Sequence, residues 1–463
     1  MLEALRSQPP AELPRPPRSS RERSQIEAFM VLRRNPLELW GPMAYREEVL
    51  RGRFLGREQI LLNDPEAIRR VLVANHENYG RNIGTKRVLR PVLGDGLFLA
   101  EGEAWRHQRR TVAPALAPRT MPILARHVVL ATAEAEAKLA RVGGKPVDLL
   151  KHLQYLALTI AGRSMFSLEM ESYGDELRAM LLRYALGYAR VGFLDLLLPE
   201  TMRTPLDVGR GAFRTEWLRF VDRLIDAREA QGERAPPDRP RDLFDLLSSA
   251  RDPETGAGFD RAQLRDEVAT LIIAGHETTA ASLFWAFYAA ARLPEHQERI
   301  AEEAAGVDLS PENAAAAIKR LPYTRAHIDE TLRLYPPAFL IVREALGPDT
   351  VGGKRIAAGT VVSVSPWVLH RHRRRWRNPD SFDPTRFLPG ATPPDRFAYL
   401  PFGAGPRICV GAQFALTEAT LVLARLFRAF RIEPFGNGTV MPRGFVTTQP
   451  DRPVRFLLSS RVH

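Results

Sequence analysis

The sequence predicts a mainly α-helical protein with a minor β part, and three observations carry that prediction. From Trp105 to Arg292 the apolar residues recur at helical spacing, with proline and glycine gathered at breaks such as Pro199 and RAPPDRPRD. Strand-like stretches fall near the two ends instead: REEVLRGRFLGREQILLND from Arg46, then DTVGGKRIAAGTVVSVS and TTQPDRPVRFLLSS. No internal repeat divides the 463 residues, so β segments from both ends must pack around one helical body. Length alone would admit about three domains. The expectation here is a proline-rich arm over residues 1–36 and a single domain over 37–463.

Taken in order, PPAELPRPPR reads as extended polyproline-type chain that should pack weakly. The strand signals from Arg46 to Leu62 are followed by DPEAIRRVLVAN, a helix opened by Asp64, whose carboxylate can accept an orphan backbone N–H. The helical middle includes LIIAGHETTAAS, Leu271 to Ser282, inside a long apolar helix. After the C-terminal β signals begin, AQFALTEATLVLARLFRAF forms one more long helix with an apolar stripe.

Composition narrows the function classes. Apolar residues make up 45% and charged residues 26%, as in globular proteins rather than disordered or fibrous ones. One cysteine permits no internal disulfide, and there is neither a secretory signal pattern nor an apolar run long enough to span a bilayer. A cytoplasmic protein without a transmembrane segment is expected. The net charge of +12 calls for an acidic partner. The densest basic run, RHRRRWRNP from Arg371, reads as a solvated loop, and no zinc-finger, RRM-like or helix-turn-helix pattern accompanies it. No nucleic-acid partner is expected.

The single cysteine sits in FGAGPRICVG, Phe402 to Gly411. Gly403 and Gly405 open backbone conformations closed to other residues, Pro406 stiffens the approach, and the long helix follows. Cys409 is therefore expected at a helix N-terminus, where dipole and N–H groups favour a thiolate suited to ligating a metal. A buried inert cysteine is the usual alternative. A cysteine nucleophile would need a base, for which His370 or His276 could stand, but no cysteine-protease signature is present. Structural zinc would need further Cys or His nearby, and there are none.

At these residues the chain resembles the cytochromes P-450, matching Phe-x-x-Gly-x-Arg-x-Cys-x-Gly at Phe402, Gly405, Arg407, Cys409 and Gly411. The resemblance implies the P-450 fold, a triangular helical body with haem between a long distal helix and the cysteine loop. It also implies a b-type haem with Cys409 as axial thiolate, Phe402 packed near the sulfur and Arg407 on a propionate. Three further stretches follow the family's order. ETLR supplies Glu330 and Arg333, and FDPTRF supplies Arg386, similar to the family's structural Glu–Arg–Arg cluster. WRHQR places Trp105 and Arg109 four apart on one helical face, similar to the propionate-binding pair. Arg343 falls where many relatives carry another propionate arginine. Taken alone, such pairs are more often surface ion pairs or core tryptophans.

AGHETT resembles the distal-helix pattern. H-E-x-x-H zinc chemistry fails because Ala280 stands where the second histidine would be. By resemblance Ala274 and Gly275 border the haem, and Thr278 and Glu277 are the catalytic pair. The Thr278 hydroxyl can compete for the Ala274 carbonyl, and Glu277 can feed protons. The implied activity is monooxygenation of an apolar small molecule by O2, in a pocket to which family position assigns the loop RVLRPVLGDGLFLAEG, Leu271 and Ala274. Since the chain stops soon after its last β segment, electrons are expected from a separate ferredoxin or flavodoxin-type donor with its reductase. Two other readings stay open: haem-thiolate chemistry without monooxygenation (peroxygenase, isomerase or dehydratase), and a haem sensor or nucleic-acid module supported by charge alone.

Overall fold

The computed structural model describes residues 12–168, 173–232, 240–436 and 439–461. Most of RAPPDRPRD and the first part of the proline-rich arm lie outside these residues. Near the N-terminus, helix α1 (Gln25–Arg34) is opened by a Ser24–Glu27 capping box. The Arg46 stretch becomes the antiparallel strands β1 (Val49–Phe54) and β2 (Arg57–Leu62). Their tight turn puts both Leu55 and Gly56 at positive φ, 52° and 78°. Asp64 caps the next helical turn by accepting from the Ala67 N–H at 2.8 Å. Strand β3 (Tyr79–Gly80) leads to α2 (Ile83–Leu93) and then to α3 (Gly102–Val112).

The body continues through α4 (Met121–Ala140), strand β4 (Val147–Asp148), α5 (Leu149–Phe166), α6 (Gly174–Gly187), α7 (Pro205–Glu229) and α8 (Leu243–Ser249). Its axis is α9 (Arg261–Arg292), opened by an Asp260–Gln263 capping box and stopped before Pro294. From Leu283 to Ala291 every residue of α9 is buried, so this half is wrapped by protein on all sides. Helices α10 (Pro294–Ala305), α11 (Pro322–Leu334) and α12 (Ala412–Ala429) complete that wrapping. No helix among the described residues is long and apolar enough to cross a membrane.

The β part joins both ends of the chain, as expected. Strands β5 (Ile341–Ala345) and β8 (Val361–Val364) flank the hairpin of β6 (Asp349–Val351) and β7 (Lys354–Ile356). One sheet runs β1-β2-β8-β5-β3, with β2 and β8 parallel. After α12 come β9 (Phe430–Phe435), the hairpin of β10 (Pro442–Gly444) and β11 (Thr448–Pro450), and β12 (Arg455–Ser460), which pairs with β9 and β4.

Three local expectations are corrected. Residues 12–18 of the arm pack firmly: Leu13 joins the main core, and the Pro14 carbonyl accepts from Tyr335 Oη at 2.8 Å. Arg18 grips Asp380 through two hydrogen bonds of 2.6 and 3.1 Å while its guanidinium lies 4.1 Å from the Tyr45 ring centre. RVLRPVLGDGLFLAEG, read as loop, is helical up to Leu93 with Pro91 inside the helix. The buried side chains of Arg87, Val88, Val92 and Leu93 hold it against the loss of one backbone hydrogen bond. The RHRRRWRNP run is only partly solvated, because Arg375 reaches Glu48 at 2.6 Å and Arg371 is buried with its guanidinium 3.7 Å from the Trp367 ring centre.

Candidate functional site

The loop from Phe402 to Gly411 is shaped by two glycines at positive φ, Gly403 at 73° and Gly405 at 75°. Gly405 admits nothing larger, because a Cβ there would collide with the Leu72 carbonyl. The loop closes on itself where the Cys409 N–H donates to the Phe402 carbonyl at 3.0 Å. Helix α12 begins three residues after Cys409, with Gly411 as its N-cap. The cysteine thus precedes the helix terminus rather than occupying it, and the terminus reaches the sulfur through the Gly411 N–H. Cys409 is exposed by surface area although protein surrounds it, as expected on the floor of an inward-facing cleft. Burial pushes its thiol upward, opposed by the Gly411 N–H and by the charge of Arg109.

Above the loop the cationic residues converge. Arg407 donates to the Ala100 carbonyl at 2.9 Å, and its guanidinium lies 4.6 Å from the Trp105 ring centre. Arg109, one turn after Trp105 on α3, donates to the Ile408 carbonyl at 2.7 Å. Arg343, on β5, is buried, and its side chain donates to the Val342 carbonyl at 2.9 Å. Burial and the neighbouring Arg407 lower it to about 10. A fourth guanidinium joins them from a residue that sequence reasoning missed, Arg81. Burial, Arg343 and Arg407 all lower it, and its Nε is buried without a partner. Of the described carboxylates, Glu101 alone acts on Arg81, Arg343 and Arg407 together, and it is already engaged by the Arg81 N–H at 2.6 Å and Lys86 at 3.0 Å.

The other wall is α9. Ala274 is exposed although it lies mid-helix, and a Cβ on Gly275 would meet nothing within 4 Å. The Thr278 hydroxyl donates to the Ala274 carbonyl at 2.5 Å. Glu277 accepts from Thr447 at 3.3 Å and Gln449 at 3.4 Å. Burial raises its pKa above the ordinary carboxyl value, with those two donors pulling it down. His276 is buried, its Nε2 faces the Gln154 carbonyl at 3.2 Å, and burial lowers it to about 4. It plays no part in the cleft, and no group of three or more metal-ligating side chains occurs among the described residues.

Beneath the cysteine loop lies the fully buried pair Glu330 and Arg333, joined by two hydrogen bonds of 2.7 Å. Arg386 stands 3.6 Å from Glu330, and Arg333 also holds the carbonyls of His370, Pro379 and Ser381. His370 links this cluster to the loop. Its Nε2 accepts from the Leu400 N–H at 2.8 Å, so Nδ1 carries the proton and donates to the Arg333 carbonyl at 3.2 Å. That role removes His370 as a base for Cys409.

The arrangement fits a flat dianionic cofactor carrying a ligand-accepting metal. An accessible thiol stands on the cysteine loop, buried Arg343 and half-buried Arg81 and Arg407 face one occupied carboxylate, and α9 leaves space at Ala274 and Gly275. Haem has this charge and shape. Isolated buried cations are costly, and two propionates would offset them.

A family profile described as cytochrome P-450 matches residues 43–455. Cyclooctatin synthase of Streptomyces melanosporofaciens is 32% identical over 418 residues, covering 89% of this chain and 89% of that protein. Cyclooctat-9-en-7-ol 5-monooxygenase of the same organism is 31% identical, covering 89% and 88%. Among solved structures, the haem domain of cytochrome P-450DA superposes with a TM-score of 0.80 at 25% identity, covering 98% of this chain and 99% of that one.

Proposed function

The chain belongs to the cytochrome P-450 family and is a monooxygenase of that family; from that premise we propose that it inserts one oxygen atom of O2 into an apolar small molecule, with electrons from a separate protein. What supports the reading is an accessible Cys409 on a glycine-shaped loop, a stretch of α9 where Ala274 is exposed and Thr278 donates to its carbonyl, and the cluster of Arg81, Arg343 and Arg407. Cys409 would ligate the iron of a b-type haem, with Phe402 beside the sulfur. Trp105, Arg109, Arg343 and Arg407, joined by Arg81, would hold the propionates. When bound, a thiolate-ligated haem supplies an electron-rich iron that favours cleavage of the O–O bond.

The chain's own groups manage protons and water. Glu277, buried and held by two neutral donors, keeps its proton more readily than a surface carboxyl and so can store one for release. Because the Thr278 hydroxyl spends its hydrogen on the Ala274 carbonyl, its oxygen is left to accept from a water in the cleft. Leu271, Ala274 and Phe98 offer the substrate mainly carbon surface, which supports an apolar substrate. One relative's name gives an alcohol, cyclooctat-9-en-7-ol, as the compound it acts on. A net charge of +12 supports an acidic ferredoxin or flavodoxin-type donor with its reductase.

The carbon monoxide complex of the reduced protein tests the assignment. The wild type should show the thiolate-type absorption band, and Cys409→Ser should lose it, because the chain has no second cysteine to substitute. A variant that kept the band would overturn the ligand assignment.

A further inference from the structure

One turn of α9 binds backbone. Asp266 Oδ2 accepts from the Asp95 N–H at 2.8 Å, Glu267 Oε1 accepts from the Leu97 N–H at 2.9 Å, and Thr270 Oγ1 donates to the Leu93 carbonyl at 3.2 Å. The approach is close enough to exclude side chains from the segment it holds. A Cβ on Gly94, at φ 61°, would run into the Asp266 carboxylate, and one on Gly96 would lie 2.8 Å from the Asp266 carbonyl oxygen. The far end of this segment is fastened to the cysteine loop by the Arg407 bond to Ala100. Between the two fastenings Phe98 remains 40% exposed, with the Arg81 guanidinium 4.2 Å from its ring centre.

Glu267 is the unusual member of the turn. Its side chain is wholly buried, its Oε2 has no hydrogen-bond partner, and no cation bears on it among the described residues. It lies on the face of α9 that continues through Leu271, Ala274 and Thr278, so the peptide it grips adjoins the open part of the cleft. We propose that Glu267 is a positioning residue for the pocket wall: its carboxyl clamps the Leu97 peptide to α9 and so fixes where Phe98 stands.

Closure favours the uncharged carboxyl, because burial costs the charge more than the Leu97 N–H returns. Burial pushes Glu267 up to about 8, opposed by the Leu97 N–H and aided by Asp266. The charged groups facing it are Asp266 on its own helix, Asp95 from the held segment, and Arg214 of α7. Arg214 stands 4.0 Å from Asp266 and so attends that carboxylate. Alkaline solution therefore places a second negative charge beside Asp266 with no cation to receive it, and the clamp loosens.

Hydrogen–deuterium exchange of the full-length protein tests this, comparing wild type, Glu267→Gln and Glu267→Leu at about pH 5 and about pH 8, the span over which the open carboxyl is ionised and the closed one is not. Wild-type protection at Leu97, corrected for intrinsic exchange, should fall on the alkaline side. Glu267→Gln keeps an acceptor and cannot ionise, so it should hold the acid-side protection at both pH values. Glu267→Leu should lose about tenfold in protection at both, the worth of one net hydrogen bond. Wild-type protection at Leu97 in the leucine variant, or glutamine and leucine variants that behave alike, would overturn the proposal. So would pH-independent protection in the wild type. If the leucine variant fails to fold, the pH comparison of wild type with Glu267→Gln still decides. Fluorine NMR of para-fluorophenylalanine placed at position 98 checks the consequence: the resonance should broaden or split when the clamp opens, and an unmoved resonance would refute the positioning of Phe98. The inference takes its pocket from the monooxygenase reading, but neither measurement needs turnover, so their failure would leave that reading intact.

Discussion

Arg343 shows how a site can be built against the stability of the chain that carries it. Its guanidinium is buried beside Arg407, which together hold it down to about 10, and it has one hydrogen bond to a carbonyl. In the empty protein this is a standing cost. Its folded value lies below the ordinary arginine value, and each unit of difference is about 1.4 kcal/mol. Arg343→Met should therefore act with opposite signs on two measurements. Denaturant unfolding of the haem-free protein should show a gain of about 1–3 kcal/mol, since a buried unpaired charge is replaced by packed carbon. Haem retention should weaken, because one propionate loses its partner. Calorimetry of the empty form and haem transfer to an acceptor protein would measure the two. Loss of stability in the empty form would mean that Arg343 is satisfied there, contrary to the clustering of Arg81, Arg343 and Arg407.

Helix α9 carries its chemistry through one side-chain hydrogen bond, that of Thr278 to the Ala274 carbonyl four residues earlier. Thr278→Ala should leave haem binding and the carbon monoxide spectrum intact, because the hydroxyl does not hold the cofactor. Product formed per reducing equivalent should fall, by up to about 10²–10⁴-fold for loss of one positioned proton-handling group and less where water fills the space. Unchanged coupling would remove Thr278 from oxygen chemistry and favour a reaction that never splits O2. This helix and the cysteine loop were legible because local pattern determines them: a capped 32-residue apolar helix, and glycines where a Cβ would strike backbone. Arg81 was not legible, since nothing around it in YGRN signals a role. It acquires one from the short pairing of β3 with β5, in which Gly80 faces Glu344; one step further in that register sets Arg81 opposite Arg343. Pro91 is the converse case. A helix breaker by local rules, it is overruled by the packing of Arg87, Val88 and Val92.

Across the whole molecule, four histidines are stored neutral in the interior, and together they set its response to acid. His276, His296, His327 and His370 are all buried, and burial is the first cause that lowers each, to about 4, 3, 4 and 3 respectively. Their unfolded values lie near 6.5. Because the folded values are lower, the unfolded chain binds more protons between the two, and stability is lost as pH falls through that window. Glu267 works in the opposite sense: its folded value of about 8 exceeds the unfolded one near 4.5, so it costs stability as pH rises. The two effects oppose each other from about pH 6.5 down to about pH 4.5, but one carboxyl offsets only one of the four histidines, so stability should already fall there. Below about pH 4.5 the Glu267 contribution is complete and the histidines act unopposed, each worth on the order of 1–3 kcal/mol. Paired carboxylates such as Asp349, gripped by Arg70 and Tyr79, add to the same loss. Urea unfolding of the haem-free chain at stepped pH should therefore show a fall that begins below about pH 6.5 and steepens below about pH 4.5. His370→Gln should soften that fall, because it removes one group that must take up a proton on unfolding. It should also loosen the cysteine loop at neutral pH, because the neutral ring ties Leu400 to Arg333. An acid limb as steep in His370→Gln as in the wild type would show that this histidine is not stored uncharged, and would break the proposed link between the Glu330–Arg333 cluster and the loop that carries Cys409.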